Sequence, residues 1–150
     1  MAAGIFGAAS CTPEAATGPV PTIEEASFAA ALGVNLANMT KMSNGVYFQD
    51  IPAGNGATVV AGNHLTVHYT GYFTNGTSFD TSVGKAAFGF TIGANPRQVI
   101  EGWDTGLIGM KVGGTRKLVI PSALAYGSGG FTGIPPNSIL VFNVQLVSIP

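Results

Sequence analysis

The sequence predicts an α+β domain, a twisted antiparallel β-sheet wrapped around one short α-helix, with an N-terminal extension. From Val46 onward, apolar and polar residues alternate with a period of two in several short runs. Val99, Ile100, Trp103 and Leu107 recur instead at helical spacing, as one apolar stripe. Twenty-two Gly and nine Pro sit between these runs in a chain of 150 residues. Such a chain turns often, which disfavours a long helical bundle.

Taken in order, Thr22-Ile-Glu-Glu25 reads as a capping box, in which the Thr22 hydroxyl accepts from the Glu25 N–H and the carboxylate reaches back. A short helix through Phe28 and Leu32 is expected to follow and to stop at Gly33. Residues 22–44 thus form a short helical extension, packed on or hanging from a main domain over 45–150. Val46–Ile51 and Leu65–Phe73 read as half-buried strands, the second placing Leu65, Val67 and Tyr69 on one face. Asn75-Gly76 is a hairpin signal, with Thr77–Asp80 returning along the same sheet. Phe88, Phe90 and Ile92 alternate again. Asn95 as N-cap, Pro96 in the first turn and Gln98 at the third position predict the start of the helix. Gly102, Gly106 and Gly109 keep it short and let it lie close. Thr115–Ile120 reads as a strand and Pro121–Gly130 as a turn-rich loop. Ser138–Ser148 is a closing strand with Leu140, Phe142, Val144 and Leu146 inward.

Composition excludes several functions. Six Lys and Arg against seven Asp and Glu leave a net charge of −1, so nucleic acid is not an expected partner. No run reaches the roughly 18–20 apolar residues of a membrane span. Cys11 is the only cysteine and has no intrachain partner, and no metal-ligand spacing is present. Residues 1–21 read as a flexible N-terminal segment. Its first eleven residues are small and apolar and end at Cys11, which resembles the tail of a bacterial lipoprotein signal peptide. Lipidation at Cys11, a membrane tether and an exported, periplasmic or extracellular location follow as expectations, with a cytoplasmic location as the alternative.

The chemistry of nucleophiles and phosphate loops is missing. There is no Gly-x-Ser-x-Gly elbow, and His64 and His68 lie on one predicted strand, where His68 reads as a solvated or hydrogen-bonded strand residue. Aromatic excess is the conspicuous feature: Tyr69, Phe79, Phe88, Trp103, Tyr126 and Phe142 come from separate elements. Asp80, next to Phe79, reads as an acid in an apolar wall that needs a donor such as a tyrosine hydroxyl.

Val67-His-Tyr-Thr-Gly71, Phe79-Asp80, Phe88-Gly-Phe90, Val99-Ile-Glu-Gly-Trp103, Gly109-Met-Lys-Val-Gly113, Ala125-Tyr-Gly127, Ile134-Pro-Pro136 and Leu140-Val-Phe142 occur in that order. Together they resemble the FKBP-type peptidyl-prolyl cis/trans isomerases from about Val46 to Ile149. The resemblance implies catalytic roles for Tyr69, Asp80, Trp103, Tyr126 and Phe142, with Trp103 as the floor of a pocket. It implies substrate contacts from Phe79, Phe88, Val99, Ile100, Phe131 and Ile134, and hydrogen-bond donation by the Tyr126 hydroxyl and the Ile100 N–H. It implies proline-containing polypeptides as partners, macrolides such as rapamycin or tacrolimus as inhibitors, and no cofactor or metal. The chain departs from the family pattern in two shorter loops: Phe131 falls where many members have His, and Lys85 stands nearest to a common Arg. Those departures leave open a binding or chaperone module with weak turnover, or a structural surface protein.

Overall fold

The computed structural model describes residues 22–149. Cys11, the signal-like stretch and the following tether lie outside the described residues. The strands are β1 (Thr40–Lys41), β2 (Tyr47–Asp50), β3 (His64–Phe73), β4 (Ser78–Thr81), β5 (Phe88–Thr91), β6 (Thr115–Ile120) and β7 (Leu140–Ser148), with helix α1 (Glu101–Gly106) between β5 and β6. They form one antiparallel sheet in the order β1-β2-β6-β7-β3-β4. The first half of β3 pairs with β5 along the edge that its second half gives to β4.

Alternation in β3 and β7 sends Leu65, Val67, Leu140, Phe142, Val144 and Leu146 to the face that receives Trp103 of α1 and Leu107, its C-cap residue. Helix and sheet approach closely because Gly102 has no side chain: a Cβ there would stand 2.5 Å from Ile120 Cγ2. The helix is shorter than the sequence predicts. It begins at Glu101 with Ile100 as N-cap, not at Asn95. Thr91 N–H donates to Gln98 Oε1 at 2.8 Å and Gly93 N–H to Asp104 Oδ1 at 2.9 Å. These side-chain bonds hold residues 93–100 as an irregular strap, so Val99 and Ile100 precede the helix.

The opposite face of the sheet is also covered. Tyr47, Val119 and Val141 pack against Ile23, Leu32, Met39 and Ile139 in a second buried cluster, so the extension is docked and does not hang free. It is not the single helix expected over 22–33. Three separate 3₁₀ turns stand at Ile23–Glu25, Ala30–Leu32 and Leu36–Asn38. The capping box does form, with Glu25 N–H donating to Thr22 Oγ1 at 3.3 Å and Thr22 N–H to Glu25 Oε1 at 3.4 Å. Gly33 ends the second turn at φ 66°. Helix does not propagate between them because short helices are marginal alone, and the Ala29 N–H is drawn away to the Thr74 carbonyl at 2.8 Å.

One carboxylate anchors this extension. Glu24 Oε2 accepts from Lys41 Nζ at 2.8 Å and from the Tyr47 hydroxyl at 2.7 Å. Those bonds, Lys41 first, lower its pKa from the ordinary 4.5 to about 2. A depressed folded-state value contributes stability above the unfolded value and loses it as pH falls through the folded one. Docking of residues 22–44 is therefore expected to weaken between pH 4.5 and about 2. Amide shifts of Lys41 and Tyr47 followed by NMR should show an acid step that Glu24→Gln abolishes; an unchanged step in that variant would refute the anchor.

Candidate active site

Strict alternation would send consecutive residues of a strand to opposite faces, yet Phe79 and Asp80 both line one cleft. A β-bulge resolves this. Gly71 pairs with Asp80 and Tyr72 with Ser78, so Phe79 is the extra residue on β4. Gly71 makes room for it, since a Cβ there would lie 2.6 Å from Phe79 Cζ and 2.7 Å from Phe142 Cε1.

The cleft has a volume of about 190 Å³. That is below the roughly 300–1,000 Å³ of pockets for drug-sized ligands, so it holds one ring and its neighbours, and the rest of a larger ligand would lie outside it. The Trp103 indole, 4% exposed, forms its floor. Tyr69 and Phe142 stand edge-on to the indole at 83° and 82°, with centroids 5.2 and 5.3 Å away. Rings perpendicular to a floor make walls, in the T-shaped arrangement aromatic quadrupoles favour. Phe88, 37% exposed, closes one side against Tyr69 at 5.9 Å. Val99 and Ile100 arrive from the strap and Tyr126 from the loop after β6. Buried Trp103 Nε1 has no hydrogen-bond partner among the described residues.

Polar groups gather at the rim. The Tyr69 hydroxyl donates to Asp80 Oδ2 at 2.6 Å. Burial first, and then this bond, pushes the Tyr69 phenol well above its ordinary value. Burial and the Asp80 charge also raise Tyr126, so both phenols keep their protons at neutral pH. Asp80 itself is exposed. The resemblance implies a place for Asp80 at the mouth of the pocket, and the bulge sets it there, at the edge of the apolar wall, where water and Tyr69 share its solvation. The Ile100 N–H has no backbone partner among the described residues.

The structure thus brings together Tyr69, Phe79, Asp80, Phe88, Val99, Ile100, Trp103, Tyr126 and Phe142. Phe131 and Ile134 stand apart, in an adjoining cleft of about 210 Å³ that shares Phe79, Asp80 and Tyr126. Ile134 is buried in the core, whereas Phe131 is 63% exposed and stacks on Tyr126 with centroids 5.1 Å apart. Lys85 is exposed and lines neither cleft. His68 Nδ1 lies 3.0 Å from Ser82 Oγ, away from the cleft, as a hydrogen-bonded strand histidine. Sequence reasoning missed Gln98 as a lining residue, having taken it for a helix-starting position. No local signal separates a helical Gln from one that bonds back to a strand.

A sheet curled on one short helix, with an open aromatic cleft where they meet, defines a fold whose site has the size of a small ring and a rim of hydrogen-bonding groups. Comparison with known proteins gives the particular family. The sequence profile for FKBP-type peptidyl-prolyl cis-trans isomerase matches residues 56–147. The FK506-binding protein of Neisseria meningitidis serogroup B is 46% identical over 106 residues, covering 70% of this chain and 96% of the relative. FK506-binding protein 4 of Gibberella zeae is 47% identical over 113 residues, which cover 75% of this chain and 22% of that protein. The chain spans only 22–29% of the length of that and two other fungal relatives. The crystal structure of AtFKBP13 superposes with a TM-score of 0.68 at 34% identity, covering 75% of this chain and 98% of the other. FkpA from Escherichia coli gives 0.67 at 40% identity, covering 74% and 51%. The chain belongs to the FKBP-type peptidyl-prolyl cis-trans isomerase family.

Proposed function

We propose that this chain accelerates rotation about X–Pro bonds in polypeptides and so assists their folding. The observation that carries the reading is the open cleft floored by Trp103 and walled by perpendicular aromatic rings. Uncatalysed rotation breaks amide resonance against roughly 18–20 kcal/mol and takes tens to hundreds of seconds. No bond is made or cut, so the requirement is tighter binding of the twisted amide than of either planar form. As the amide twists, its carbonyl loses charge delocalisation and depends less on water. Seating the proline ring on the indole while Tyr69, Phe88 and Phe142 exclude solvent favours that state. In this reading the Tyr126 hydroxyl and the Ile100 N–H, both from residues that line the cleft, donate to the flanking carbonyls. Asp80 orients Tyr69 and sets the rim charge without moving a proton. An acceleration on the order of 10⁴ needs only about 5.5 kcal/mol of such preference.

A protease-coupled assay with a proline peptide tests this. The protein is expected to isomerise the peptide, and a folded Trp103→Leu, Asp80→Val, Tyr126→Phe triple variant to fall to the background rate. Equal rates for the two would overturn catalysis by the cleft, and peptide binding without acceleration would favour a chaperone module.

The name FK506-binding protein borne by relatives supports reading the same cleft as a macrolide site. Lipidation at Cys11 and export belong to the proposal on the residues Ala8-Ala9-Ser10-Cys11 alone. An intact mass of the native protein with no added lipid would remove them.

A further inference from the structure

The strap between β5 and α1 supplies Gln98, Val99 and Ile100 to the cleft but has no ladder of its own. Its ends are secured by backbone bonds: Ile92 N–H donates to the Asn63 carbonyl at 2.9 Å, and Trp103 N–H to the Ile100 carbonyl at 2.9 Å. Between those points Gln98 ties the strap to β5 through Thr91 N–H at 2.8 Å, and the strap's hydrogen bonds to an α1 side chain go to Asp104. This residue is 8% exposed, sits one position past Trp103 and does not line the cleft. Both carboxylate oxygens are engaged by the strap. Oδ1 accepts from Gly93 N–H at 2.9 Å and Oδ2 from Arg97 Nε at 3.0 Å. Arg97 also places Nη2 3.9 Å from Glu101 Oε1, its second acidic neighbour on the helix.

The geometry points to Asp104 as a positioning residue for the isomerase reaction proposed above, on which this inference rests: by clasping Gly93 and Arg97 it presents Val99 and the Ile100 N–H to the prolyl segment. The Arg97 side chain is 52% exposed but the Asp104 carboxylate only 9%, which makes a stiffer tie than a fully exposed pair, because less water competes for the carboxylate. Without the clasp the strap samples other shapes. Only the fraction of molecules with the correct shape then binds, and apparent affinity falls by that fraction. The bound complex has already paid for ordering, so the rate from it is unchanged. The signature is thus a raised KM at constant kcat.

Trp103 is the only tryptophan, so its fluorescence reports the cleft directly. A proline peptide is titrated into the full chain and into Asp104→Asn and Arg97→Gln, with Kd read from Trp103 emission and kcat and KM from the protease-coupled assay. Asp104→Asn is expected to raise Kd and KM about tenfold and to leave kcat within twofold. Arg97→Gln removes one arm at a half-exposed site and is expected to give about a threefold rise, a result still readable should Asp104→Asn fail to fold. Unchanged Kd and KM in a folded variant, or a fall in kcat at constant KM, overturns the positioning role. A natural chain that neither binds nor isomerises the peptide overturns the isomerase reading itself, which is a distinct outcome.

Discussion

Replacing Asp50 by alanine is expected to destabilise the domain by about 3–5 kcal/mol, the cost of stranding a buried charge. Asp50 and Arg116 are directly paired across β2 and β6. Arg116 Nε donates to Asp50 Oδ1 at 2.7 Å and Nη2 to Oδ2 at 3.0 Å, the two-pronged geometry that suits guanidinium and carboxylate. The Arg116 side chain is 3% exposed and that of Asp50 27%, so water replaces the missing partner only in part. Its Nη1 donates to the Gly106 and Ile108 carbonyls, both at 2.9 Å, at the end of α1. The same group lies over the Phe48 ring, 4.3 Å from its centroid. One guanidinium therefore fastens the carboxyl end of the helix carrying Trp103 to the sheet. Urea unfolding of Asp50→Ala measures the loss. The double variant Asp50→Leu, Arg116→Met should recover much of it, because the penalty comes from the unpaired charge and not from the missing attraction. A loss below about 1 kcal/mol for Asp50→Ala would reject the clamp.

Truncating Trp103 to alanine is expected to lower kcat/KM by about 100-fold, equivalent to about 2.7 kcal/mol of lost transition-state preference. Stability should fall by about 3–5 kcal/mol as well, since the indole packs against Tyr69, Phe90 and Phe142 inside the core. Because the two effects overlap, Trp103→Phe separates them. Among the described residues the indole N–H has no partner to lose, so this variant sacrifices mainly area and should stay folded. Its kcat/KM is expected to fall about tenfold, through kcat more than KM if the floor acts on the twisted amide. Full activity in folded Trp103→Ala would show that the floor plays no part.

The cleft was readable in the chain because most of its residues lie where local patterns already fix their facing. Tyr69 and Phe142 follow from period-two strands, and Trp103 from one helical stripe facing the sheet. Less readable were the positions where one side chain answers a distant backbone group. Gln98 and Asp104 take N–H groups of Thr91 and Gly93, and this overrides the helix start that Asn95 and Pro96 announce. Phe131 has the same aromatic character as the other wall residues, yet it lies exposed on Tyr126 because its loop turns outward before Ile134 enters the core.

By itself, the sequence determined the alternating strands, the single helical stripe, the capping box at Thr22 and the ordered motifs of the family. These depend on neighbours within a few residues, where side-chain period and capping geometry act. Only the tertiary structure decided that Phe79 and Asp80 share a face, that residues 22–44 seal the back of the sheet, and that a carboxylate on α1 holds the strap. Each of those depends on pairing between segments distant along the chain, where burial and long-range hydrogen bonds outweigh local preference.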